Sequence, residues 1–269
     1  MTVIEGHRIS LSQRIAEYRH YPTLFLFLTL RDITLRYRQT ALGIVWAVVQ
    51  PIIPMLIFTV VFGRVLRPET GAVPYWMFAL AGLAPWMFFA NSINAASLTF
   101  ASNHNLLNKI YFPRAILPGA AVAACFLDWL VSGVFLLGAL LWRGYKPTAE
   151  WLLLPVIGIL TAGLAMAVGL AAASLIALYR DAKYLFPFAV QLWMYATPVV
   201  YPANMLPRKI RWCIGLNPMS GAVEGFRSCL FGTPVDWNTV ALSGLTAAGI
   251  FLAAALLFHQ MEADLAERV

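Results

Sequence analysis

The chain has 269 residues, of which 61% are hydrophobic and 12% charged, with a formal net charge of +7. That is far too little polar surface to coat a soluble globule of this length, so the sequence specifies an integral membrane protein. The positive charge raises nucleic acid as a partner. The basic residues are scattered among helix ends, however, with no continuous patch or stacked aromatic platform, so anionic lipid headgroups are the simpler partner.

Between Arg31 and Pro54 the chain changes solvent. Arg31, Asp32, Arg36 and Arg38 charge the first part, and no charge follows from Ala41 until Arg64. On a helical wheel Leu26, Leu30, Ile33 and Tyr37 form one stripe, with Asp32, Arg36 and Gln39 on the other side, which predicts a helix lying in the membrane surface. Gly43 offers a pivot. Ile44 to Phe62 then gives a helix roughly 28 Å long, close to the hydrocarbon thickness of a bilayer. The chain therefore divides into a cytoplasmic N-terminus with its interfacial helix (1–43) and a transmembrane domain (44–269).

Six stretches are long and apolar enough to span, at about 44–63, 74–100, 115–142, 151–178, 184–200 and 239–258. The polar N-terminal stretch lacks a small-residue cleavage site, so no removable signal peptide is expected and both termini are expected in the cytoplasm. On that orientation Arg8, Arg14, Arg19, Arg31, Arg36, Arg38, Lys109, Arg114, Arg180, Lys183 and Arg268 lie inside. Arg64, Arg67, Arg143, Lys146, Arg208, Lys209, Arg211 and Arg227 lie outside, which is a modest positive-inside bias.

Between the second and third stretches, SNHNLLNKIYFPRAILP carries a short helix that Ser102 or Asn103 can cap and Pro113 can end. Leu106, Leu107 and Ile110 make a small ridge on it, read either as part of an ordinary polar turn or as a docking helix for a soluble partner. Asp128 sits mid-span in CFLDWLV, where a carboxylate is expensive. It is either a proton or substrate site, or a structural residue bonded to a facing helix or placed against an aqueous channel. The Gly, Ala and Ser residues of the fourth stretch suit close helix packing. After the fifth stretch, residues 201–234 are too short and too broken by Pro202, Pro207, Pro218 and Pro234 to cross twice. Two short amphipathic pieces are expected there, at about 203–214 and 219–231, dipping into or resting on the outer interface.

Two motifs carry a family resemblance. Arg31-Asp32, Arg36-Tyr37-Arg38, Leu42-Gly43, Trp46 and Pro51 resemble the opening motif of the permease subunits of bacterial ABC-2 type polysaccharide exporters, which move capsule, O-antigen or teichoic acid chains. Tyr201-Pro202, Leu206-Pro207, Leu216-Asn217-Pro218 and Phe226-Arg227 resemble the extracellular gate segment of the same permeases, and the closing FHQMEADLAERV (258–269) resembles their end, with the cytoplasmic tail at 259–269. The resemblance implies an all-α membrane protein with six transmembrane helices, an N-terminal interfacial helix, and two short re-entrant or periplasmic gate helices between spans five and six. It also implies a homodimer in the bacterial inner membrane with two separate ATPase subunits, which carry the ATP and Mg. The cargo would be an undecaprenyl-diphosphate-linked polysaccharide. ATPase docking would fall on Asn105, Leu106, Leu107, Lys109 and Ile110, and the outer gate on Tyr201, Asn217, Pro218, Phe226 and Arg227.

The chemistry that is missing agrees with a permease. The chain has no GxxxxGK[ST] phosphate loop, no paired-carboxylate site and no G-x-S-x-G elbow, and its histidines (His7, His20, His104, His259) fall at cytoplasmic ends. Cys125, Cys213 and Cys229 lack metal-ligand spacing, so free thiols are expected, with a Cys213–Cys229 disulfide as the alternative. Trp76, Trp142, Trp151, Trp212 and Trp237 suit an interfacial belt. Tyr37, Trp46, Trp86, Phe88, Phe89, Trp193 and Tyr195 fit a belt less well. They are either ordinary packing or the lining of a channel in which sugar C–H faces slide on aromatic rings. Arg31, Arg36 and Arg38 either obey the positive-inside rule, meet the diphosphate of a lipid-linked glycan, or touch the ATPase. The leading reading is the membrane subunit of a polysaccharide ABC exporter. The alternatives are an integral membrane enzyme acting on polyprenyl-linked sugars, with Glu69, Glu150, Glu224 or Asp236 as its carboxylate, and an ABC-2 permease for a small-molecule cargo.

Overall fold

The computed structural model describes residues 19–38, 40–66, 73–107, 109–179 and 181–268, and among these the fold is entirely helical. Helix α1 (Pro22–Tyr37) opens with a proline in its first turn, where a missing N–H costs nothing. It buries Leu28 and leaves Leu26 and Leu30 exposed, while Ile33 and Tyr37, on the same stripe of the wheel, are half-buried, so only the first part of that stripe faces away from the bundle. The chain then turns at Gly43, whose φ of 52° is a left-handed conformation that a β-carbon would strain. The expected pivot is therefore a specific backbone geometry. A short 3-10 turn leads into α2 (Trp46–Phe58), which continues as a wider π-helical stretch over Thr59–Leu66.

Helix α3 (Tyr75–Ser97) is followed by two single turns, α4 (Thr99–Ser102) and α5 (His104–Leu107), and then by α6 (Ile116–Trp142). A turn at Gly144 and a 3-10 segment at Ala149–Leu153 introduce α7 (Leu154–Leu178). Helices α8 (Ala182–Ala196), α9 (Arg208–Gly215), α10 (Pro218–Phe231) and α11 (Trp237–Arg268) complete the chain.

Five helical segments among the described residues are long and apolar enough to cross a membrane: Gly43–Gly63, Tyr75–Ser97, Ile116–Trp142, Ala149–Leu178 and Trp237–Met261. The stretch expected at 184–200 is not among them, so five of the six expected spans are matched by a helix of crossing length. In its place stands α8, with 15 residues, roughly 22 Å long and so shorter than the roughly 30 Å of hydrocarbon. The physical reason is Pro198, which drives the residue before it out of the helical region. Thr197 is extended, with φ −102° and ψ 138°. Between Tyr201 and Pro234 the two pieces are 8 and 14 residues long, neither long enough to cross.

Helix α3 is predominantly apolar, and 78% of its spanning window is buried, as expected for the central strut of a bundle. Small residues let its neighbours come close. A β-carbon on Gly169 of α7 would sit 2.6 Å from the Ala96 β-carbon of α3, and one on Gly158 would sit 2.5 Å from the Trp129 ring of α6. One cluster, built on Leu28, Phe100, Ile116, Leu117 and Phe258, ties α1 to α4, α6, α7 and α11. A larger cluster fills the rest of the bundle. The windows of α2 and α11 are only 17% and 11% buried. Such exposure of apolar side chains is costly in water and ordinary in lipid.

Candidate functional site: a polar cleft in the bundle

Asp128 lies at mid-length of α6, and both of its oxygens are met by the last turn of α1. The Arg36 guanidinium bonds to Oδ2 and the Tyr37 hydroxyl donates to Oδ1. Arg36 also reaches the Cys125 sulfur, one turn earlier on α6, at 3.3 Å. Burial, and then the Asp128 carboxylate beside it, push the Tyr37 phenol above its ordinary range. A carboxylate in an apolar bundle is tolerable when paired and hydrogen-bonded, so the end of the surface helix is bolted to the middle of a span.

Next to this clasp opens a cleft of about 380 Å³, lined by Arg36, Tyr37, Thr40, Gly43, Trp46, Ala47, Gln50, Asn91, Asn94 and Asp128. Its walls come from α1, the Gly43 turn, α2, α3 and α6. Asn91 of α3 donates to the Gln50 carbonyl of α2 at 3.3 Å. The Asn94 side-chain oxygen Oδ1, one turn further along α3, is buried with no hydrogen-bond partner among the described residues. A narrow extension runs deeper past Phe88, Cys125, Trp129 and Ser132, and the Trp129 indole N–H is likewise buried and unpartnered. Asn94 in the cleft wall and Trp129 farther in thus each carry a buried polar atom that nothing among the described residues answers, within an otherwise apolar bundle.

At the other end of the bundle a second polar cluster organises residues 196–201. Arg227 of α10 is 3% exposed. It donates to the carbonyl oxygens of Phe78 at 3.3 Å, Pro198 at 2.6 Å and Val199, lies 3.6 Å over the Phe78 ring, and pairs with Glu224 at 3.8 Å. Asn217 caps α10 through Met219 N at 3.1 Å, accepts from the Trp193 indole at 2.9 Å, and donates to the Ala196 carbonyl and the Thr197 hydroxyl. Tyr75 donates to the Val200 carbonyl at 2.7 Å. These bonds satisfy the carbonyls that α8 releases when it stops at Pro198.

Comparison with known proteins places residues 23–231 in a family described as ABC-2 type transporter. The chain belongs to the ABC-2 type transporter family. Similar curated proteins include the O-antigen export system permease protein RfbA of Myxococcus xanthus, 26% identical over 95% of this chain and 98% of that one. RfbA of Klebsiella pneumoniae is 24% identical over 91% and 94%. The polysialic acid transport protein KpsM of Escherichia coli is 24% identical over 88% and 93%.

In this ABC-2 transporter chain the predicted site residues separate into distinct places. Of the aromatic residues, Tyr37 and Trp46 line the cleft. Trp86, Phe88 and Phe89 are buried, in ring contacts that run from Phe88 through Phe126 and Trp129 to Phe226 and from Phe89 to Trp193. Tyr195 is exposed. Of the arginines, Arg36 faces Asp128, Arg31 is paired with its neighbour Asp32 at 2.9 Å, and Arg38 is exposed. Asn105, Lys109 and Ile110 are exposed, while Leu106 and Leu107 pack partly against the cluster built on Leu28 and Phe100. In the gate segment Asn217, Phe226 and Arg227 form the second polar cluster and its apolar neighbour, Pro218 opens α10, and the Tyr201 hydroxyl donates to the Tyr195 carbonyl at 3.2 Å. All three cysteines are free, with Cys213 exposed and the other two buried. Sequence reasoning missed Gln50, Asn91 and Asn94. Their signal was present: Gln50 is an amide in an otherwise apolar span, and Asn91 and Asn94 stand three apart, on one face of a helix.

Proposed function

We propose that this chain is the transmembrane permease subunit of an ABC exporter that moves a lipid-linked, O-antigen-like polysaccharide across the bacterial inner membrane. Hydrolysis of ATP with Mg on a separate nucleotide-binding subunit drives it. The observation that carries this reading is the near full-length likeness to permeases named for two different glycans, O-antigen and polysialic acid. The chain also lacks a phosphate loop of its own. Two copies form the pathway, and each recruits one ATPase at the end of the bundle that carries α1 and α5. On this reading that end is cytoplasmic, with both termini. Exposed Ile110 and Tyr111 contact the ATPase, while half-buried Leu106 and Leu107 anchor the docking turn.

A sixth crossing completes the bundle. Helix α8 starts beside the end of α7, and residues 197–200 are tied to the start of α3 by Arg227 and Tyr75. A short helix followed by extended chain thus runs the length that a longer helix would. Helices α9 and α10 then form the outer gate, with α10 entering the bundle rather than resting on its surface. Purification together with a candidate ATPase subunit from the same organism tests the assignment: a stable complex with ATPase activity raised by the lipid-linked glycan is expected. A chain that neither binds that ATPase nor changes its turnover contradicts it.

A further inference from the structure

We propose that the cleft beside the Arg36–Asp128 clasp is a subsite for one uncharged sugar ring, and that the diphosphate of a lipid-linked cargo is held elsewhere. The inference rests on the polysaccharide-export reading and adds to it a place and a chemistry. Its first ground is charge. Among the described residues the only ionic groups in the wall are Arg36 and Asp128, and each answers the other. Arg31 is paired with Asp32 and lies outside the cleft, as does Arg38. An anionic phosphate entering here would meet a neutral ion pair with the carboxylate oxygens part of it, and would lose its hydration without gaining a free cation.

The second ground is hydrogen bonding. Gln50, Asn91 and Asn94 come from two different helices onto one cavity, and intramembrane polar side chains are expensive unless something polar meets them. Amides carry donors and acceptors on one side chain, the pattern that answers a hydroxyl, which is both at once. The Asn94 side-chain oxygen Oδ1 is buried and unmet among the described residues, and one Asn91–Gln50 side-chain bond at 3.3 Å is the amide pairing already made. The third ground is shape. Trp46, 46% exposed, gives the wall a flat apolar face for the C–H side of a sugar. The volume of about 380 Å³ falls within the roughly 300–1,000 Å³ typical of small-ligand sites. A hydrated but unselective cleft is the competing account, and the experiment separates the two.

The full chain in lipid nanodiscs, without its ATPase, is titrated with the methyl glycosides of glucose, galactose, mannose and N-acetylglucosamine, and separately with inorganic pyrophosphate. Tryptophan emission is the readout, and Trp46→Phe identifies the Trp46 component. At least one glycoside is expected to shift that component saturably, while pyrophosphate leaves it unmoved. Asn94→Leu should weaken the response by roughly five- to tenfold, the worth of a hydrogen bond in a buried site. Should Asn94→Leu fail to fold, Gln50→Leu is read the same way. Silence with every glycoside, a saturating response to pyrophosphate, or an unchanged response in these variants overturns the proposal. Binding here needs no ATPase, so the two readings fail separately. Glycan export without glycoside binding removes the subsite alone, and glycoside binding without ATPase coupling removes export alone.

Discussion

At the scale of single residues, the clasp between α1 and α6 behaves as a unit. Removing Asp128 leaves Arg36 with an unanswered charge in a partly apolar setting. Asp128→Asn is therefore expected to cost about 1–3 kcal/mol, less than the roughly 3–5 of a fully buried pair because the Arg36 side chain is 32% exposed. Asp128→Asn combined with Arg36→Gln should recover much of that loss, which thermal melts of the four proteins in nanodiscs would read as a coupling energy. Additive losses would mean that the two side chains do not depend on each other. Tyr37 gives a pH test. Its folded pKa lies above the ordinary value of about 10, so its stabilising contribution is complete below about pH 10 and fades only as pH rises through the raised value. Melting temperature should accordingly show no Tyr37-dependent change between pH 7 and 9, and a fall there that Tyr37→Phe removes would contradict the clasp. None of these partners was legible in the sequence. The cost of a mid-span carboxylate said that Asp128 needs a partner, but the partner stands 92 residues away.

At the scale of elements, α10 shows where pattern reading stops. Its two ends were readable, from Asn217-Pro218 at the start and the left-handed Gly232 at the end, with φ 65°. Its burial was not, because an amphipathic segment broken by prolines looks the same whether it rests on a surface or inserts between α3, α7 and α11. Arg227 decides the matter by capping carbonyls from two other segments. Arg227→Ala should take the donor from the Pro198 and Val199 carbonyl oxygens and cost about 3–5 kcal/mol. Arg227→Lys should recover only part, since one ammonium does not reproduce the planar fork. Gly82 makes the same point from α3: a β-carbon there would overlap the Arg227 guanidinium and the Val199 carbonyl. Gly82→Ala is expected to destabilise by about 1–3 kcal/mol. A melting temperature unchanged in both Gly82→Ala and Arg227→Ala would show that the 196–201 segment does not depend on this cluster.

At the scale of the whole molecule, hydropathy alone found the membrane class and the long spans, because a run of apolar residues of bilayer length has few other uses. It misjudged α8, where the apolar run continues through Thr197-Pro198-Val199-Val200 while the helix does not. It also overlooked the cleft, which exists only after α1, α2, α3 and α6 are assembled. If α8 and the extended residues after it complete a crossing, a single cysteine placed at Asp181 before α8 and the exposed native Cys213 after it should react with an impermeant maleimide from opposite faces of a sealed vesicle. Reaction of both from one face would remove that topology. The central claim is that this lipid-embedded bundle has a path for a glycan but no motor. The most direct measurement is movement of a labelled lipid-linked glycan across proteoliposomes containing this chain, with and without its ATPase partner. Transfer that requires both the partner and hydrolysable ATP is the predicted result, and equal transfer by this chain alone would contradict it.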